Sequence, residues 1–252
     1  MSNLFWLSEA QMARLKPFFP KSHGRPRVDD RRVLSGIIFI NRNGLRWCDA
    51  PREYGPAKTL YNRWKRWSEN GVFARIMMGL AAESAEHKTI MIDATYLKAH
   101  RTASSLGVKK GGGGRQIGRT KGGMNTKLHA VTDAKGRPIQ FFMSAGQVSD
   151  YTGAAALLSS LPKAGWMLAD RGYDAEWFRE ALKDKGIRVC IPGRKNRKKA
   201  VKYDKRRYKR RNRIEIMFGR LKDWRRVATR YDRCPETFFS AILLAATVIF
   251  WL

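Results

Sequence analysis

Cysteine and histidine are scarce in this chain, and the few present are scattered. Cys48, Cys190 and Cys234 form no C-x-x-C pair, which argues against a disulfide framework and against a cysteine-rich zinc site. His23, His87, His100 and His129 are equally dispersed, so no histidine-based metal motif is present, and His100 and His129 read as satisfied side chains rather than ligands. Acidic residues are the next shortage: 21 Asp and Glu stand against 51 Lys and Arg, a formal net charge of +30. The start, MSNLFWLSEAQMARL, lacks a basic stretch leading into an apolar core and is not expected to be a signal peptide. The one long apolar run, residues 238–252, is shorter than the roughly 20 residues needed to cross a bilayer. It predicts a buried closing helix, no membrane partner and a cytoplasmic protein. Internal repeats are absent.

What is present is a core and a concentrated field. Hydrophobic residues make up 43% of the 252, with 8 Trp and 12 Phe, enough for one large domain or a small one and a medium one. Residues 194–233 alone hold 19 basic and 4 acidic side chains, half of the net charge in a sixth of the chain. Such a field recruits a polyanion, nucleic acid before an anionic membrane, through phosphate contacts that carry no sequence information.

Hydrophobic periodicity and turn residues divide the chain near residue 87. Before it, short helices are predicted over residues 5–20, from Asp30 to Asn43, over Ala57 to Ser68 and over Ala74 to Glu86. The third carries Tyr61, Trp64 and Trp67 on its apolar side and Lys58, Arg63, Lys65 and Arg66 as basic residues, which reads either as a helix-turn-helix or as an amphipathic helix with a solvated basic face. After it come a strand at Lys88–Thr95, a basic glycine-rich loop at 96–123, and a hairpin turning at Asp133–Gly136. A helix to Leu161, a strand at Gly165–Asp170, a helix from Ala175 to Lys185 and the strand IRVCIP follow, giving a mixed α/β sheet flanked by helices. GGRQIGRT lacks the lysine and the preceding strand of a phosphate-binding P-loop, so no nucleotide cofactor is expected.

Three acids stand apart. Asp93 and Asp170 lie in apolar strand segments, where an unpartnered charge costs several kcal/mol. On an ideal helix over residues 203–223, Tyr208, Arg211, Glu215 and Lys222 fall within an arc of about 60°. Ile214, Met217, Phe218, Leu221, Trp224 and Ala228 form the adjoining apolar face. Hard oxygen donors from separate elements, without His or Cys, suit Mg²⁺ or Mn²⁺, and a pair of such ions can act on a phosphodiester. Asp133, Asp150 and Asp174 read instead as turn, helix-cap and loop residues.

These segments resemble the bacterial insertion-sequence transposases of the IS5 family. Tyr208, Arg211, Glu215 and Lys222 match the pattern Y-x2-R-x3-E-x6-K without a gap. MIDATYLKAH, GRTKGGMNTKLHAVTDAKGRPI, LADRGYD and YGPAKTLYNRWKRW resemble further family segments, so the likeness spans nearly the whole chain. The resemblance implies an RNase H-like domain at 88–252 behind a helical DNA-binding region at 1–87, with Asp93, Asp170 and Glu215 as a metal-holding catalytic triad. It also implies cleavage of double-stranded DNA at element ends, strand transfer, and a homodimer or larger assembly on DNA. Arg211 and Lys222 would clamp phosphates, Tyr208 would meet DNA near the cut, and Arg194, Lys195, Arg197, Lys198 and Lys199 would hold the backbone. Two other readings share these residues: a DNA-binding repressor or decayed copy without nuclease activity, and an RNase H-like nuclease that cuts without joining. Retention of all three acids favours an enzyme over the first, and the formation of joined products separates the second.

Overall fold

The apolar run after Lys88 forms the strand around which a sheet is built. In the computed structural model, which describes residues 4–21, 29–83, 88–105, 114–197 and 200–252, that strand is β1, Ile90–Ala99. β2 (Gly118–Thr120), β3 (Gly123–Asp133), β4 (Pro138–Ala145), β5 (Trp166–Leu168) and β6 (Arg188–Cys190) follow. β3 pairs antiparallel with β1 from Ile90↔Asp133 to Lys98↔Asn125, and with β2 and β4. On the other side of β1, β5 and β6 run parallel to it. The path is β2-β3-β1-β5-β6, with β4 on β3, the mixed sheet that the sequence implied.

Parallel neighbours require crossovers, and helices supply them. The helix Asp150–Leu158 is capped by Ser149, whose hydroxyl accepts from the Thr152 amide, and the helix Glu176–Asp184 joins β5 to β6. Ile90, Ile92, Val131 and Met167 from the strands bury against Ala154, Leu157, Phe178 and Leu182 from these helices. Each such large side chain contributes roughly 1.5–3 kcal/mol on leaving water. The approach is close: a Cβ on Gly153 would lie 2.0 Å from the ring of His129 on β3, so only glycine fits there.

The structure differs from the sequence reading in three places here. Residues 96–123 are not all loop: β1 runs on to Ala99, a short helix covers Arg101–Ser104, and β2 lies at Gly118–Thr120. The extension exists because β3 offers backbone partners as far as Asn125, a tertiary cause that the local sequence does not carry. The segment 203–223 is not one helix either. It breaks into Lys205–Tyr208, a 3-10 turn at Lys209–Arg211, and a helix at Asn212–Lys222. Finally, β5 ends at Leu168, and Asp170 caps the 3-10 turn Arg171–Tyr173 instead of ending the strand.

The chain packs as two compact units, Ala81–Arg220 and Met1–Leu80 with Leu221–Leu252. The expected division was 1–87 and 88–252; by contact the boundary falls after Leu80, and Leu221–Leu252 cluster with the first residues. The helix Pro235–Phe250 is buried on most sides and needs apolar cover all round; it packs on the helices Asp30–Asn43 and Ala57–Glu69. Asp29 caps the former, and Gly44 closes it with a φ of 71°, a left-handed conformation natural to glycine. Trp64 and Trp67 are buried as expected, whereas Tyr61 is exposed. Residues 44–56, with two 3-10 turns and prolines at 51 and 56, separate these helices. That connection is much longer than the roughly 3–4 residues of a simple helix-turn-helix. Among the described residues no helix is long and apolar enough to cross a membrane.

Candidate active site

Asp93 and Asp170 are brought together by strand register. β1 and β5 are parallel neighbours paired at Met91↔Leu168, and each aspartate lies two residues beyond that pair. Adjacent strands are about 4.8 Å apart, so Asp170, just past the end of β5, comes out beside Asp93 within β1. Asp93 sits where β1 passes from buried to half-buried, its side chain 17% exposed. Its Oδ1 accepts from the Ala94 amide at 2.8 Å and its Oδ2 from Arg211 Nη1 at 2.7 Å. Burial pushes the Asp93 carboxyl above the usual carboxylate range; Arg211 opposes that shift, and nearby Asp170 adds to it. Asp170 is fixed by its own turn, Oδ1 accepting from the Gly172 amide at 2.9 Å. A Cβ on Gly172 would come within 2.8 Å of that same oxygen, which explains the glycine after Arg171.

Glu215 joins them through Arg211. Its carboxylate accepts from Arg211 Nη2 while Arg211 Nη1 holds Asp93, so one guanidinium spans an acid from β1 and an acid from the helix Asn212–Lys222. A bidentate fork places the two acceptor oxygens within roughly 8 Å of each other. Ile214, Met217 and Phe218 are buried on the helix's other side, the apolar face that the sequence indicated, leaving Glu215 half exposed at its edge. Arg211 was expected to clamp phosphate; instead its side chain is mostly buried and engaged by carboxylates. The cause is electrostatic, since like charges that face one another in a partly buried setting need a cation between them. Correspondingly, among the described residues no three His, Cys, Asp or Glu side chains stand close enough to hold a metal ion. The donor set itself, all hard carboxylate oxygen, fits Mg²⁺ or Mn²⁺.

The remaining predicted residues divide by what they touch. The Tyr208 ring lies 5.9 Å from the Arg211 guanidinium and 5.4 Å from the Tyr203 ring. Lys222, at the end of its helix, is half-buried, and burial lowers its ammonium pKa. Arg194 is exposed and stacks over Tyr151 at 4.8 Å, and Lys195 is exposed. Lys198 and Lys199 lie outside the described residues. Arg197 points inward to Asp174 and Glu176. In the N-terminal unit Lys65 and Arg66 are exposed, whereas Arg63 pairs with Asp30 at 2.7 Å and lies over Trp67, so it supports the fold.

Sequence reasoning missed two residues beside these. Asp174, read as a loop residue, is a buried hub: it accepts from the Arg194 amide, Arg179 Nε and Arg197 Nη1 at 2.8, 2.8 and 2.7 Å. Burial alone would raise its carboxyl, but these donors outweigh burial and hold it below the usual range. Only Arg179 is close in sequence; Arg194 and Arg197 reach Asp174 through the fold, so the sequence carried little signal for this hub. Tyr173 is almost fully buried with its hydroxyl unpartnered among the described residues, and burial, with Asp150, Asp93 and Asp170 nearby, drives its pKa well up. Asp133 and Asp150 behave as expected, in a turn closed by Arg137 and at a helix start with Lys127.

A mixed sheet of this order flanked by helices is an RNase H-like fold. The same architecture appears in a piggyBac transposase synaptic complex with hairpin DNA, with a TM-score of 0.51 at 9% identity over 94% of this chain and 68% of that one. Residues 84–251 match the family described as "Transposase DDE domain", and residues 7–77 match "Putative transposase of IS4/5 family". A putative transposase for insertion sequence element IS6501 from Brucella ovis is 36% identical over 130 residues, 51% of this chain and 99% of that protein. A putative transposase for insertion sequence element IS402 from Burkholderia cepacia is 29% identical over 156 residues, 54% of this chain and 72% of the relative. The chain belongs to the DDE transposases of bacterial insertion sequences.

Proposed function

We propose that this protein binds the ends of an insertion element, breaks a DNA phosphodiester at each and joins the freed ends to target DNA, with Asp93, Asp170 and Glu215 as its catalytic acids. The observation that carries this reading is the single guanidinium held by Asp93 and Glu215, with Asp170 in step with Asp93 on the neighbouring strand. Carboxylates held half-buried beside one another, as Asp93 and Glu215 are on Arg211, are costly for a fold and are kept where chemistry uses them.

In the first step water attacks the phosphorus at an element end: a new P–O bond forms, the bond to the 3′ oxygen breaks, and that oxygen leaves as a 3′-OH. In the second step this hydroxyl attacks a target phosphodiester and displaces another 3′ oxygen. Each step exchanges one P–O bond for another or for water, so no nucleotide cofactor is consumed. Asp93, Asp170 and Glu215 would hold Mg²⁺ or Mn²⁺, which as a Lewis acid supports both the attacking and leaving oxygens. The chain's own part is to orient the backbone. Exposed Arg194 and Lys195 near the Asp170 turn, and Lys65 and Arg66 on the N-terminal helix, offer charge to phosphates. Two ends must be joined, so the active form on DNA is at least a homodimer.

Replacing Asp170 with Asn keeps the turn's acceptor and removes the charge. Asp170→Asn should slow nicking of an element-end duplex in Mg²⁺ by at least about a hundredfold. Nicking at the parental rate would remove Asp170 from the site.

A further inference from the structure

Arg211 is in an unusual place for a basic residue on a strongly cationic segment. Its side chain is only 14% exposed, and both terminal nitrogens are engaged by carboxylates from different elements. Both Asp93 oxygens are already acceptors, one from the Ala94 amide and one from Arg211. A second cation on these acids would face the guanidinium's charge in a setting where water screens poorly. Arg211 is the fourth residue before Glu215, one helical turn away, so a rotation of its side chain alone would release both acids. A DNA phosphate presents the same fork geometry as a carboxylate and would receive the released guanidinium.

We propose that Arg211 is the resident counter-ion of the acidic cluster, and that a divalent cation gains Asp93 and Glu215 only as the Arg211 guanidinium leaves them. The inference rests on the reading of these acids as metal ligands. Arg211 is then a positioning residue: it keeps the acids together before the cation arrives and competes with it afterwards. Removing an ordinary structural arginine would loosen the site and weaken metal binding; removing a competitor strengthens it.

Titration of Mn²⁺ alone into the full chain, followed by calorimetry, separates these outcomes. Arg211→Gln should bind Mn²⁺ about tenfold tighter than the parent or more. Its metal-free form should melt at a lower temperature and gain more from added Mn²⁺. Arg211→Lys, whose single ammonium cannot fork two acids, should fall between, and it carries the comparison if the glutamine variant does not fold. Adding Asp170→Asn to each chain should weaken binding and so locate the ion. Equal or weaker Mn²⁺ binding by a folded Arg211→Gln chain overturns the proposal. If binding ignores Arg211 yet is lost with Asp170→Asn, only the counter-ion role fails and the acids keep theirs. If no chain binds Mn²⁺ at millimolar concentration, both readings fail.

Discussion

His129 on β3 has no exposed surface; its Nε2 lies 3.0 Å from Ser144 Oγ, and its Nδ1 has no partner among the described residues. The expectation of a satisfied core histidine is thus half met. Burial lowers its pKa to about 4 from an ordinary 6.5. Below pH 6.5 the unfolded chain takes up a proton that the folded chain refuses until about pH 4. Stability present above that window is lost as pH falls through it, on the order of 3 kcal/mol. Urea unfolding at pH 7 and pH 4.5 should show this loss in the parent and a smaller one in His129→Gln. An equal loss in both chains would place the acid sensitivity elsewhere. At this scale the sequence disclosed the acids that break apolar runs, because burying a charge is expensive and therefore conspicuous. Asp174 stayed hidden because its partners at 179, 194 and 197 meet it only through the fold.

The elements were legible where local chemistry alone decides them. Ser8 and Gln11 form the capping box that opens the first helix, and Asp133–Gly136 turns β3 into β4 as its residue types indicate. The break in 203–223 was not legible, since residues 205–211 hold no apolar period to test; Asp204, which caps Lys205–Tyr208, was the overlooked stop-and-start signal. The seating of the helix Asp150–Leu158 on β3 depends on the missing side chain at Gly153. Gly153→Ala would drive a Cβ to 2.0 Å from His129 Nδ1. The ring or the helix must move, which should cost about 1–3 kcal/mol. Thermal melting checks this, and an unchanged midpoint would show that the contact yields freely.

For the whole molecule, formal charge overstates the charge open to a partner. Arg63, Arg197 and Arg211 are each tied to acids within their own unit and largely covered, whereas Lys195 and Arg66 stand exposed, as does Lys65 in its surface pair with Glu69. Duplex binding should weaken linearly in log-log terms with salt, and Lys195→Ala should reduce the slope by about 1. Arg63→Ala should leave the slope alone and lower the melting temperature. A salt-independent affinity would contradict phosphate binding altogether. The sign and location of this field were legible in the sequence; the allotment of its arginines between core and surface is decided by tertiary contacts such as Arg63 with Asp30.

Asp174 gives the arm after β6 a mechanical attachment. It grips the Arg194 amide and the Arg197 guanidinium from a point four positions past Asp170, on the far side of the same short turn. A pull on the backbone at Lys195 would therefore pass through these hydrogen bonds into the turn that carries Asp170.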